Sequence, residues 1–275
     1  LGTAQDAGYP QIHCQKECCA KVLSGEENPE WVSCLALVDP GKKKYWLFDA
    51  TPSIVEQTGY VQKLIPGISL AGIFLTHAHI GHYTGLMMLG REAWGAGEVP
   101  VYVMPRMRTF LESNGPWGQL VSLNNIQIRD LQNEEEILLP NDVSVTPFLV
   151  PHRDEYSETV GFQIKGPGQT ALFIPDIDKW EKWDKDIQEE VAEVDIAFLD
   201  ATFYANGEIP GRDMSEIPHP FVEETMKLFE GTGSESKIHF IHLNHTNPLL
   251  WSVHTKVELE AKGFEVARTG QQFPF

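Results

Sequence analysis

The chain has 275 residues, 42% of them hydrophobic, with seven Trp and fourteen Phe, enough to bury one large core or two small ones. Its net charge of −18, with no Lys/Arg cluster, disfavours binding to long nucleic acid. No uninterrupted apolar run reaches the length of a membrane span.

Leu1-Gly2-Thr3 reads as the end of a strand whose beginning lies upstream. A signal segment would lie there too, so a cytoplasmic or an exported protein both stay open. Cys14, Cys18 and Cys19 cluster just after His13. Three clustered thiols suit a metal knuckle, and one disulfide with a leftover thiol is the alternative. Cys34 falls in the apolar segment 31–38 and reads as core. A second apolar segment, 44–49, ends in Asp49. Thr51-Pro52 then supplies the N-cap and first residue of a helix to about Lys63. A strand is predicted at 71–75, a helix across 84–93, a strand from Val99 to Met104 and a helix opened by Pro105. Further strands are predicted at 120–130, 143–150, 159–165, 170–175, 194–200, 237–242 and 264–268. Helices are predicted at 178–191, near 219–230 and after Asn247-Pro248. The loop after Asp200 is long enough to point to function rather than connection. Frequent hairpin-like pairs favour two sheets sandwiched between helices over one doubly wound sheet. No dinucleotide or phosphate-cradling glycine motif is present.

The densest chemistry is Thr76-His77-Ala78-His79-Ile80-Gly81-His82, directly after the apolar run 71–75. His77 and His79 are two apart, so in an extended segment they point the same way. Gly81 lets the chain turn and His82 starts the next element. A strand end that delivers several imidazoles to one point builds a transition-metal site, because neutral imidazole ligates zinc, iron and manganese. Other strands also finish on ligating residues. The run 144–150 leads to His152, 171–174 to Asp176, 196–199 to Asp200 and 238–241 to His242. Each alone reads as a cap or surface residue; their recurrence beside the histidine motif points to convergence.

His77, His79 and His82, followed in order by His152, Asp176 and His242, resemble the metallo-β-lactamase superfamily. Within it, the opening Leu1–Ala4 with Gly8–Gln11, and the blocks 200–203, 212–214 and 241–248, are similar to the branch around coenzyme PQQ biosynthesis protein B. The resemblance covers nearly the whole chain and implies a single domain over 1–275, a four-layer αββα sandwich with metals at one edge. It implies His77, His79 and His152 for a first metal position, His82 and His242 for a second, and Asp176 as the bridging carboxylate. Gly81 stands where the family has Asp, so the second position loses an anionic ligand. It is then weaker, empty or completed from elsewhere, with Asp6 and Asp200 as candidates. On that reading, restoring Asp at position 81 raises its occupancy. A related cyclic phosphodiesterase of phosphonate degradation implies a structural zinc on Cys14, Cys18, Cys19 and His245, with Cys18 in a shifted position.

The expected activity is that of a metal-dependent hydrolase acting on a small-molecule ester or phosphodiester. Three imidazoles leave an open metal position, where a water loses its proton near neutral pH. Asp176 would orient that water. His219, Asp200 and Asp213 are candidates for leaving-group acid or substrate contact, whereas His13, His239 and His254 read as structural. Zinc in one or two positions is expected, with iron or manganese as alternatives. A non-haem iron oxidoreductase of the PQQ-biosynthesis type and a binding protein with a degenerate site are the competing classes. A homodimer is left open.

Overall fold

A computed structural model describes residues 1–275. Twelve strands form two sheets: β1 (Leu35–Asp39), β2 (Lys44–Phe48), β3 (Ser69–Phe74), β4 (Val99–Val103), β5 (Ile126–Asp130), β6 (Ile137–Leu139), β7 (Val143–Leu149), β8 (Val160–Lys165), β9 (Thr170–Ile174), β10 (Ile196–Asp200), β11 (Ile238–Ile241) and β12 (Glu265–Val266). The first sheet runs β1-β2-β3-β4-β5 and the second β12-β11-β10-β9-β8-β7-β6. β1 and β2 form an antiparallel hairpin, and β2 to β5 are parallel. In the second sheet β9 to β12 are parallel, and β6 to β9 are antiparallel.

Period-two alternation explains why the sheets stack. In β2, Trp46 and Phe48 face the second sheet, while Tyr45 and Leu47 face helices. In β9, Ala171 and Phe173 point inward and Leu172 and Ile174 outward. β10 repeats the pattern, with Ile196 and Phe198 inward and Ala197 and Leu199 outward. The middle layer is aromatic: Phe48 stacks on Phe74 at 5.2 Å and meets Phe162 edge-on at 5.4 Å. Removing one such buried ring costs about 3–5 kcal/mol, because neighbours held by two sheets cannot collapse into the space. Helices cover both outer faces, which gives the αββα order.

Several elements depart from the sequence-based expectation. The helix predicted at 84–93 is a 3-10 turn, Thr84–Leu89, that follows a short helix, Ile80–Tyr83. Gly85 packs so tightly on the Ala50 and Thr51 carbonyls that a Cβ there would lie 2.1 Å from Thr51 O. The 120–130 region is a helix, Gly115–Ser122, before β5. The helix expected at 178–191 is a 3-10 turn, Trp180–Lys182, and a separate helix, Ile187–Ala192, capped by Asp186. Two indoles divide it. Trp180 donates to Thr225 Oγ1 and Trp183 to Leu149 O, both at 2.9 Å, and both rings are buried. The helix expected from Pro52 begins at Ile54; Thr51, buried, donates its hydroxyl to Gln57 Oε1 and accepts from Ser53 N, closing a turn ahead of the helix. The cysteine-bearing helix Glu17–Leu23 and strand β6 were not expected.

β2 and β3 run in one direction, as do β7, β9, β10 and β11. Each of them ends at or just before a residue of the site, Asp49, His77, His152, Asp176, Asp200 or His242, and these ends meet at one edge of the sandwich.

Candidate metal centre

β3 ends at Phe74, and Thr76 is tied to the end of β2 by Asp49. The Asp49 carboxylate accepts from Thr76 N at 2.8 Å and Thr76 Oγ1 at 3.0 Å. Asp49 and His242 both adopt positive φ, 74° and 65°, which L-residues seldom do. Each is buried, and each leaves its strand end turned into the site.

Around one point lie His77 Nε2, His79 Nδ1 and His152 Nε2. The first two are 2.9 Å apart and the last two 3.3 Å. Asp176 completes the group, with Oδ2 3.3 Å from His77 Nε2 and Oδ1 3.3 Å from His152 Nε2. Two nitrogens 2.0–2.1 Å from a tetrahedral ion are roughly 3.3 Å apart, so this spacing suits one cation at the centre. The outer nitrogens are oriented by neighbours: His77 Nδ1 faces Thr76 Oγ1 at 3.0 Å, and His79 Nε2 faces Glu155 at 3.0 Å. Burial holds the His77 imidazole well below its usual pKa and pushes His152 down to about 4. Both are therefore neutral near pH 7, the form that ligates metal.

Beside this group, His82 Nε2 and His242 Nε2 face Asp6 Oδ1 at 3.4 and 3.9 Å. His82 Nε2 also lies 3.8 Å from Asp176 Oδ2. The opposite edge of His82 is held by Asp49, with Nδ1 to Oδ2 at 2.7 Å. That is a carboxylate–histidine pair of the kind that orients metal ligands. His242 Nδ1 is fixed by Thr202 Oγ1 at 3.0 Å. Asp6 Oδ1, His82 Nε2, His242 Nε2 and Asp176 Oδ1 are all buried without a hydrogen-bond partner. Three of them, on Asp6, His82 and His242, lie within 4.8 Å of one another, and such a trio is costly unless a cation joins it, so the residues present fit a second metal; Asp176 Oδ1 is turned to His152 and His219. Burial opposes charge on Asp6, yet His242 and His82 hold its carboxyl well below the usual range. Burial likewise opposes charge on His82, and Asp49 and Asp6 overcome it, keeping its pKa high.

The structure also accounts for Gly81. A Cβ on residue 81 would lie 2.1 Å from Asp6 Oδ1 and 2.5 Å from Asp6 Cα. The N-terminal loop fills the volume that a side chain at 81 would need, and it brings a carboxylate there. Of the two candidates, Asp6 has this position. Asp200 does not: it is fully buried behind the site, accepting from Ile177 N, Thr202 N, Thr202 Oγ1 and His219 Nδ1. The expectation that Asp at 81 raises occupancy is corrected accordingly, because that side chain has no room while Asp6 is in place.

His219 lies beside both carboxylates, with Nδ1 2.8 Å from Asp200 and 3.2 Å from Asp176. Burial lowers its pKa, but Asp200 and Asp176 outweigh it and push the imidazole up to about 9. Asp213 is exposed and turned to Ser215. His239 packs on Phe198 and Phe273, and His254 pairs with Glu258 in solvent. Asp49, Thr76 and Thr202 were not singled out from sequence; no spacing rule links Asp49 to His82, 33 residues away.

Cys14, Cys18, Cys19 and His245 form a separate cluster, with all four ligand atoms within 4.8 Å of one another. No disulfide is formed, and Cys14 Sγ lies 3.8 Å from Cys18 Sγ. His245 Nδ1 is held by Gln11 at 3.1 Å, and its Nε2 is buried without a partner. Three thiols and one imidazole fit a closed tetrahedral zinc site. Cys34 is core, as expected.

Residues 44–243 match the β-lactamase superfamily domain. Coenzyme PQQ synthesis protein B of Klebsiella pneumoniae (strain 342) is 24% identical over 298 residues, 98% of this chain and 95% of its own length. The Cupriavidus necator protein of the same name is 26% identical over 306 residues, 99% of this chain and 97% of its own. Among solved structures, zinc-bound PqqB from Methylobacterium extorquens has a TM-score of 0.78 at 21% identity, covering 97% of this chain and 96% of that one. A diphosphatase from the PhnP family has a TM-score of 0.73 at 21% identity, covering 100% and 95%. These structures share the fold. No helix is long and apolar enough to cross a membrane.

Proposed function

The chain belongs to the β-lactamase superfamily, and on that premise we propose that it is a two-metal hydrolase of a small-molecule phosphodiester or ester. The observation that carries this reading is the set of buried, unpartnered donor atoms on Asp6, His82, Asp176 and His242, next to the three imidazoles of His77, His79 and His152. His77, His79 and His152 would hold one metal and His82, His242 and Asp6 the other, with Asp176 between them. The metals, when bound, would polarise the scissile group and lower the pKa of water.

The rest is the work of the chain. Asp49, Thr76 and Thr202 fix the ring orientations, so ligand geometry is set before substrate arrives. Asp176 would accept the proton of the attacking water. His219, held at Nδ1 by Asp200 beside Asp176, would give a proton to the leaving oxygen. Asp200 acts through His219 and His242 as a positioning residue. The cysteine cluster would hold a structural zinc that ties the N-terminal loop to the segment carrying His242.

A second reading has one specific observation in its favour. The active-site donors are imidazole and carboxylate only, a set that also suits iron or manganese. Metal analysis of protein purified without added metal separates the two. Two zinc ions beyond the cysteine cluster with phosphodiester turnover support hydrolysis; iron with oxygen uptake supports an oxidoreductase. Protein that carries metal at the cysteines alone overturns both.

A further inference from the structure

Beside His219 a cavity of about 360 Å³ opens on the surface. Of its 13 lining residues three are basic, Lys16, Arg153 and Arg212, and none is acidic. That inverts the composition of the chain, in which 39 Asp and Glu outnumber 21 Lys and Arg. The three cations come from separate segments. Lys16 lies between Cys14 and Cys18, Arg153 directly follows His152, and Arg212 sits in the loop that leads to His219. None of them is engaged in an ion pair within 4 Å. Glu208, which accepts from Tyr204 N and from the lining residue Thr246 through Oγ1, is not itself among the lining residues. Gln11 and Asn244 add neutral polar groups to the wall. The floor is His219, whose Nδ1 is 3.2 Å from Asp176 Oδ1, so the cavity adjoins the candidate metal centre. A separate cavity of about 670 Å³ is mostly apolar and is lined by no site residue.

We propose that this basic cavity is a subsite for a second anionic group of the substrate, a phosphate or carboxylate carried beyond the bond that is cleaved. The inference rests on the hydrolase reading above and adds to it the class of substrate: a small molecule with at least two anionic centres. The metals would take the scissile group. They cannot also neutralise a charge at the far side of His219, and Lys16, Arg153 and Arg212 are placed to do so. Guanidinium groups suit this task because they bind carboxylate and phosphate oxygens in pairs. In a chain of net charge −18, a local concentration of positive charge also steers anions to the site.

The test compares three aryl phosphodiesters whose second alcohol is neutral, carries a phosphate or carries a carboxylate. For the unaltered protein, kcat/KM should be about 100-fold higher for a charged arm than for the neutral one, as two charge-assisted contacts would give. The charged arm that gains more identifies the ligand. In the Arg153→Gln/Arg212→Gln double variant the ratio should fall towards one, mainly through KM, and Arg212→Lys should keep most of it. A ratio near one in the unaltered protein overturns the subsite while leaving the hydrolase reading intact. A second measurement needs no turnover. Inorganic pyrophosphate should bind the protein as purified and bind the double variant at least tenfold more weakly, with the difference shrinking as salt is added. Equal binding to both proteins, or none to either, overturns the proposal. Arginine-dependent pyrophosphate binding without turnover of any diester keeps the subsite and overturns the hydrolase reading.

Discussion

The exchange of a ligand between position 81 and position 6 gives the sharpest prediction. Asp6→Ala removes the carboxylate that faces His82 Nε2 at 3.4 Å and His242 Nε2 at 3.9 Å. Two imidazoles and a shared Asp176 remain. Loss of even an outer-shell partner lowers metal affinity about 10–100-fold, so loss of this carboxylate should cost at least about 1.4–2.8 kcal/mol at the second position. Elemental analysis after dialysis should show one metal lost per chain, with the cysteine cluster and the His77/His79/His152 position still loaded. Gly81→Asp alone should also lose that metal, because its Cβ would lie 2.5 Å from Asp6 Cα and must push the loop away. Gly81→Ala is the steric control and should behave like Gly81→Asp. In the combined Asp6→Gly/Gly81→Asp variant the residue 81 Cβ still meets the residue 6 Cα, a backbone atom, so it should lose the metal as both parents do. Retention of the second metal in Asp6→Ala would refute the assignment.

Three further predictions follow from contacts around the site. Asp49→Asn keeps an acceptor for Thr76 but removes the charge beside His82 Nδ1, so second-position affinity should fall about 10–100-fold with little loss of fold; Asp49→Ala strands the buried Thr76 N–H as well and should cost a further 1–3 kcal/mol or so in a denaturant titration. At the cysteine cluster, burial pushes the Cys18 thiol up to about 12 and raises Cys19, so zinc must displace their protons. Affinity should therefore rise with pH, about tenfold per unit for each proton released, in chelator competition between about pH 6.5 and 8.5; a flat profile, or zinc retained in full by Cys14→Ser, contradicts the site. His219→Gln should lower kcat about 10²–10⁴-fold for a diester with a poor leaving group and far less for a nitrophenyl leaving group, which departs without a proton. An equal loss on both substrates assigns His219 a structural role instead.

How far the site was legible follows from how each residue is placed. His77, His152, Asp176 and His242 could be found because apolar runs of alternating burial end at them, and such runs are the strongest signal a strand leaves. The four layers followed from the same runs, since hairpins and crossovers alternate along the chain. The helices at 84–93 and 178–191 were misplaced for a different reason: tertiary contacts decide them. Trp180 and Trp183 each find a distant buried acceptor, and Gly85 sits against the Ala50 and Thr51 carbonyls, so local pattern is overruled. Asp49, Thr76 and Thr202 act on other ligands, and no spacing announces a residue that orients an imidazole far along the chain.

Asp6 is the instructive case between these extremes. It could be named as a candidate for the second position, but not chosen over Asp200, because both belong to loops near the same edge. What separates them is excluded volume. Gly81 is the only residue type that lets the N-terminal loop lie where Asp6 Cα is 2.5 Å from the place of a Cβ. On the proposed reading the glycine is the space through which another segment brings a carboxylate to the site. That segment also carries Gln11 and the cysteines, and Gln5 N donates to Leu243 O at 2.8 Å while Leu243 N donates to Thr3 O. On the proposed reading, position two of the metal centre would be built from the same loop that carries the cysteine cluster. Supplying the ligand from this loop rather than from the histidine motif would make the order of the N-terminal segment a condition for binding the proposed second metal.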